Sequence, residues 1–395
     1  MARILFVWEL GGGRGHLLPM RDLAAPLVAD GHRVTFALRE LRLAETVLNG
    51  TGIDWLQAPH PRNPRPRPLQ TTACFADVLR GAGFGDAATL GGTVRAWRSL
   101  FDTVRPDLVL FDHSPAALVA ARGRPFRRVL ANNGSFFIPA ARRPLPALVE
   151  AKGLDDAELT AREDRTLAVI NEVLGGDEAP LTALHELYKA DLAALLTLPE
   201  LDHLPGRPDS DYWGLLPAAS GGAPPEWPAG DGRRVFAYLK PFPALGALLE
   251  VLAKEGPAVI AFVDGAGSAL ARRFAGTRVR IADRAIDLNA ALAGAALAIC
   301  PGGQTAVTAA LAGVPLLIVP GTLEQTLTGA AVARAGLGLS APKRAAAGLR
   351  AKVKALLTEP RFAGAAAAFA ARHAGRDPGE PARRLQAGIR TLLSC

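Results

Sequence analysis

Residues 298–325 read AICPGGQTAVTAALAGVPLLIVPGTLEQ, and this stretch decides the fold. The apolar run AALAIC stops at a proline and two glycines. QTAVTAALAG is helical in pattern up to Gly313, and VPLLIVP returns to an apolar, strand-like run. A strand, a glycine turn, a helix and a second apolar strand make the repeating unit of a parallel sheet covered on both faces. Backbone N–H groups at a helix N-terminus after a glycine pair form an anion site that suits a diphosphate. Gly302, Gly303 and Gln304 build that turn, and the Thr305 hydroxyl adds a further donor. Glu324 and Gln325 stand at the next strand-to-helix junction, where a carboxylate beside an amide suits sugar hydroxyls. A Gly/Pro turn with an N-capping threonine accounts for PGG alone; it does not account for the combined spacing.

The same alternation extends in both directions. RVFAYL, ALGALLEVLAKEG, PAVIAFV, RVRIAD and DLNAALAG precede the stretch as strands and helices, and Ala/Arg-rich helices follow it to Cys395. In the first half, RILFVW (3–8), HRVTFALR (32–39), DLVLFD (107–112) and RRVLANN (127–133) read as strands. LLPMRDLAAPLVADG (17–31) and SPAALVAAR read as helices, residues 146–195 look mostly helical, and LLTL (195–198) with DYWGLL (211–216) closes this half. Between the halves, PAASGGAPPEWPAGDG (217–232) lacks periodicity and reads as a linker. The expectation is an α/β chain of two doubly wound domains facing each other across a cleft. Residues 1–216 form the first, 217–232 the linker and 233–375 the second. Residues 376–395 form a C-terminal helix packing back toward the first domain. In such sheets ligands bind where loops gather at the carboxyl ends of the strands.

Bulk properties narrow the function. With 395 residues, 49% of them hydrophobic, the chain can bury two cores. The net charge of +8 rests mainly on scattered arginines, apart from HPRNPRPRP (60–68). No basic patch interleaved with aromatics and no zinc-finger pattern accompanies them, which argues against nucleic acid as a partner. Three distant cysteines, Cys74, Cys300 and Cys395, fit neither a disulfide framework nor a thiolate metal site, and point to a reducing cytoplasm. The apolar start is too short for a signal segment, and no run reaches the roughly 20 apolar residues of a membrane span, so only peripheral membrane contact is open.

The loop after the first strand, ELGGGRGHLLP (9–19), raises a second question. Gly11 and Gly13 match the first two positions of the dinucleotide fingerprint, and Glu40 stands where a ribose-binding acid would, but His16 occupies the third glycine. A tight turn explains Gly13 and Gly15 without explaining the imidazole. At a helix N-terminus the local positive potential keeps that imidazole neutral and basic, as a general base requires. Asp112 ends a buried strand and has two readings, which are compatible: it holds the second nitrogen of His16, and it or Ser114 caps the helix that starts near Ser114. His113 is expected to face away if the strand continues.

GGGRGHLLPMRDLAAPLVADGHRVTF (11–36), together with PGGQTAVTAALAGVPLLIVPGTLEQ (301–325), resembles the UDP-glycosyltransferase superfamily. The chain looks like a divergent bacterial-type member of its glycosyltransferase family 1-like branch, and the resemblance spans essentially its whole length. It implies the GT-B architecture of two Rossmann-like domains and an inverting, metal-independent hexosyltransferase. No metal site is expected, and no cofactor beyond a UDP- or dTDP-sugar co-substrate. The resemblance gives His16 the role of base and Asp112 that of its holder. It assigns Gly302, Gly303, Gln304, Thr305, Glu324 and Gln325 to the donor. A small-molecule or lipid acceptor would lie over Gly13, Gly15, Asn133 and the loops 60–92 and 132–137. Two positions depart from the family: Cys300 stands for a diphosphate-contacting histidine and Thr308 for a ribose-binding glutamate. These departures keep a catalytically weakened sugar- or nucleotide-binding protein open, beside a nucleotide-sugar epimerase of similar fold. A Rossmann dehydrogenase fits least, because of His16.

Overall fold

The computed structural model describes residues 1–61, 72–132, 139, 141–177, 179–204, 207, 211–217, 222–230, 232–344 and 348–394. They divide into two compact units, one of residues 1–199, 204–217 and 378–395 and the other of residues 200–203 and 218–377.

The first unit is built on a parallel sheet of six strands. These are β1 (Arg3–Trp8), β2 (Arg33–Leu38), β3 (Asp54–Gln57), β4 (Leu108–Phe111), β5 (Arg127–Asn132) and β6 (Leu192–Leu195), in the spatial order β3-β2-β1-β4-β5-β6. Chain order reverses between β1 and β4, so the loops after these two strands open away from each other and leave a crevice at the carboxyl edge. Successive residues Ile4, Leu5, Phe6 and Val7 are all buried, which is why the strand carries no polar alternation: helices cover both faces. One core face joins Phe6, Phe36 and Leu110 to Leu17, Leu23 and Leu27 of the helix Arg14–Ala29. Leu385 and Ile389 of the C-terminal helix Glu380–Ser394 complete it. That helix is further held by Arg390 to Asp30 at 2.7 Å and by the Gln386 amide to the Leu23 carbonyl at 3.2 Å.

The second unit repeats the plan. Strands β7 (Arg234–Leu239), β8 (Ala258–Val263), β9 (Val279–Ala282), β10 (Leu297–Cys300), β11 (Leu316–Ile318) and β12 (Gly338–Ser340) order as β12-β11-β10-β7-β8-β9. All pairings are parallel, and the reversal lies between β7 and β10. PGGQT sits at that reversal.

Sequence and structure differ in a few places. The first helix begins at Arg14, so Gly15 and His16 lie inside its first turn. Strand β6 starts at Leu192, ahead of LLTL, and DYWGLL contributes a single bridge from Tyr212 to Leu195. The segment DWLQ, which shows no strong pattern, is the edge strand β3, and all of it but Trp55 is exposed. Residues 62–68 of the Pro/Arg stretch, residues 69–71 after it, and residues 218–221 and 231 of the linker lie outside the described residues. No helix among the described residues is long and apolar enough to cross a membrane.

Candidate functional site

In the first unit the crevice between β1 and β4 gathers the chemistry. Gly13 caps the first helix at φ 103°, a backbone conformation that L-residues with a side chain rarely adopt, and it turns the chain sharply enough to start the helix at Arg14. His16 then occupies the third helical position. Its Nδ1 lies 2.7 Å from Asp112 Oδ2, with the histidine side chain 17% exposed and the aspartate 3%. The pair joins residues 96 positions apart in the chain. With Asp112 ionised, Nδ1–H is the donor and the basic lone pair falls on Nε2. Trp8, the last residue of β1, stacks on the imidazole with ring centroids 4.9 Å apart and planes 15° from parallel. His16 and Asp112 also share a small apolar pocket with Phe6, Trp8, Met20, Phe36 and Leu38. In such surroundings a charge-assisted hydrogen bond is stronger than in water.

Glu9 separates the two readings of Asp112. Glu9 directly follows β1 and is wholly buried. Its Oε1 accepts the Ala116 N–H at 2.9 Å and its Oε2 the Ala117 N–H at 3.0 Å, so Glu9 reaches across from the neighbouring strand to the start of the helix Pro115–Ala120. Its own N–H donates to Ser114 Oγ at 2.9 Å, and Ser114 Oγ donates to the Asp112 carbonyl at 2.9 Å. The capping work is thus done by Glu9, and the Asp112 carboxylate turns to His16. Burial pushes the Glu9 carboxyl up from 4.5 to about 8, against the pull of the two N–H groups. The sequence signal was a charged residue ending an apolar strand, which is equally the mark of a strand end at the surface.

His113 does not continue the strand. Its φ of 37° swings it out of extended geometry, and burial, followed by repulsion from the His16 ring when that is protonated, holds its imidazole well below the ordinary range. The expectation that it faces away through strand alternation therefore loses its premise. Glu40 lies with its carboxylate against Gly12 in the histidine loop. Gly15 is open above the first turn. Asn133 lies outside the described residues, as do residues 134–137 of the same expected acceptor loop.

In the second unit Cys300 ends β10 and Gly302 caps the helix Gly303–Leu311 at φ 127°. A Cβ on Gly302 would stand 3.3 Å from Gln325 Cα, so this turn requires glycine for its conformation and for its clearance. Gln304 and Thr305 lie half-buried in the first turn of that helix. Thr322 caps the next helix, Leu323–Arg334, and places Glu324 and Gln325 in its first turn. Gln325 Oε1 accepts the Gly321 N–H at 2.7 Å, which turns its amide back toward the loop before its own helix. The structure thus brings Gly302 and Gln325 together. Cys300 is buried, and burial pushes its thiol up to about 12, so it is a neutral core side chain. Thr308 donates back to the Gln304 carbonyl at 3.0 Å, within its own helix. Among the described residues no group of three His, Cys, Asp or Glu side chains converges as a metal site.

No family model matches the chain. No curated protein matches it either. Solved structures do. A spinosyn rhamnosyltransferase, SpnG, in complex with spinosyn aglycone aligns over 99% of this chain and 100% of its own, with 20% identity and a TM-score of 0.67. The glycosyltransferase VinC in complex with dTDP aligns over 100% of both chains, with 18% identity and a TM-score of 0.65. SnogD from Streptomyces nogalater, also a glycosyltransferase, aligns over 98% and 99%, with 21% identity and a TM-score of 0.61. At these identities the likeness establishes the fold: two Rossmann-like units in the GT-B arrangement of elements.

Proposed function

We propose that this chain is a metal-independent, inverting glycosyltransferase that moves a sugar from a nucleoside diphosphate sugar to an acceptor hydroxyl. The observation that carries the reading is the 2.7 Å contact of His16 Nδ1 with Asp112 Oδ2 at the crevice of the first sheet. Nε2 of His16 takes the proton from the acceptor hydroxyl while that oxygen attacks the anomeric carbon. The bond to the diphosphate breaks on the opposite face, so the configuration inverts, and Asp112 stabilises the imidazolium that forms. Charge leaving with the diphosphate meets the N–H groups at the start of the helix Gly303–Leu311, with Thr305 beside them. Glu324 and Gln325 hold the sugar hydroxyls. Trp8, Gly13 and Gly15 shape the acceptor side. SpnG with its spinosyn aglycone and VinC with dTDP make an aglycone acceptor and a dTDP-sugar the first substrates to try.

The reading is tested with a panel of nucleotide sugars against wild type and His16→Ala. A base in this position contributes about 10²–10⁴-fold, so the variant loses transfer by that factor while binding donor as the wild type does. Equal transfer by both proteins removes the assignment, and binding of NAD without any sugar nucleotide removes the whole reading. Neutral, buried Cys300 and self-bonded Thr308 favour one second reading, a sugar-nucleotide-binding protein of low activity. It predicts donor binding without turnover in the same panel.

A further inference from the structure

The donor turn carries no formal positive charge of its own. Cys300 is neutral, and a helix N-terminus supplies only about half an elementary charge. A diphosphate brings at least two negative charges. The second unit supplies cations nearby from two other strands. Lys240 directly follows β7, the strand that borders β10 at the reversal of the sheet, and Lys343 lies just beyond β12. The Ala244 N–H donates to the Lys343 carbonyl at 3.2 Å, which draws the segments after β7 and β12 together. The Lys343 ammonium occupies the space that a side chain at position 321 would fill. Gly321 is bonded to Gln325, and Gln325 packs against Gly302, so this ammonium stands beside the PGG turn through two directly touching residues.

Both lysines lack a carboxylate partner among the described residues, whereas Arg273, Arg280 and Arg350 of the same unit are paired with Glu250, Glu226 and Glu255. Partial burial and then the charge of Lys240 lower the Lys343 pKa, with no acid acting in the other direction. Two ammonium groups within electrostatic range of each other, with no carboxylate partner among the described residues, raise the local potential and attract anions.

We infer that Lys240 and Lys343 form a cationic clamp for the pyrophosphate group of the donor, in the place of the positive charge that Cys300 does not provide. This deepens the glycosyltransferase reading and rests on it for the identity of the natural ligand. The lysines bind and orient; they make no covalent step. Their test uses the full chain and inorganic pyrophosphate as probe, titrated calorimetrically into wild type, Lys240→Ala, Lys343→Met, the double variant, Lys343→Arg and the remote control Lys254→Ala. A hydrogen bond to a charged group accounts for about tenfold or more in affinity. Each single loss of charge is therefore expected to weaken binding about tenfold and the double variant more. Lys343→Arg should retain most of the affinity, and Lys254→Ala should leave it unchanged. Absence of pyrophosphate binding by the wild type, or binding by a folded double variant within twofold of it, overturns the clamp. Lysine-dependent binding in a protein that transfers no sugar upholds the clamp and refutes the glycosyltransferase reading. Sugar transfer with an unaltered donor KM in the double variant does the reverse.

Discussion

Replacing Glu9 by glutamine tests the electrostatics of the candidate site at its most buried charge. The folded chain holds the Glu9 proton up to about pH 8, whereas the unfolded chain releases it near 4.5. In that window the native state binds the extra proton. Stability therefore falls as pH rises through it, by about 1.4 kcal/mol per pH unit and ~5 kcal/mol in all. Glutamine cannot ionise, so Glu9→Gln abolishes this dependence. It also turns an amide NH₂ toward the Ala117 N–H and loses one acceptor, at about 1–3 kcal/mol independent of pH. The difference in unfolding free energy between variant and wild type should thus move toward the variant by ~3 kcal/mol from pH 5.5 to 8. Using the difference cancels every other titrating group. The assay is urea unfolding followed by tryptophan fluorescence, because Trp8, Trp55, Trp97 and Trp213 belong to the first unit and only Trp227 to the second. A difference that stays flat over this range shows that Glu9 is already ionised, with its two N–H partners outweighing burial, and refutes the argument.

Three further outcomes follow from the geometry. Asp112→Asn keeps the shape but offers His16 a poorer partner, so kcat should fall about 10²–10⁴-fold with donor affinity unchanged, measured by steady-state kinetics and donor titration. Gly302→Ala forces φ 127° on an L-residue and crowds Gln325, and should weaken donor binding at least tenfold in a calorimetric titration while secondary structure by circular dichroism is retained. Leu385→Ala removes a wholly buried side chain by which the C-terminal helix joins the core of the first unit, and should cost about 2–5 kcal/mol in denaturant unfolding.

Much of this architecture is legible in the chain because it depends on local signals. RILFVW and RVFAYL coincide with β1 and β7 to the residue, since a strand covered on both faces is a short apolar run with punctuation at its ends. DWLQ carries no such signal for the converse reason: an edge strand with little burial needs no apolar pattern. His16 stood out by displacing a glycine. Asp112 was legible as a candidate, with its two roles undecided.

By itself, then, the sequence determined the alternation of strands and helices, the glycine turns at positions 13 and 302, and the placement of an imidazole in the first turn of a helix. All of these follow from backbone conformation and burial within a few residues. Only the tertiary structure decided what those groups meet. Pairing of β1 with β4 carries Glu9 to the start of the helix after Asp112, which satisfies its N–H groups and leaves the Asp112 carboxylate to His16. The convergence of the loops after β10, β11 and β12 sets the Lys343 ammonium against Gly321, whose N–H is held by the Gln325 that packs on Gly302. Those partners are chosen by the strand order of the sheets, a non-local property that no window of sequence contains.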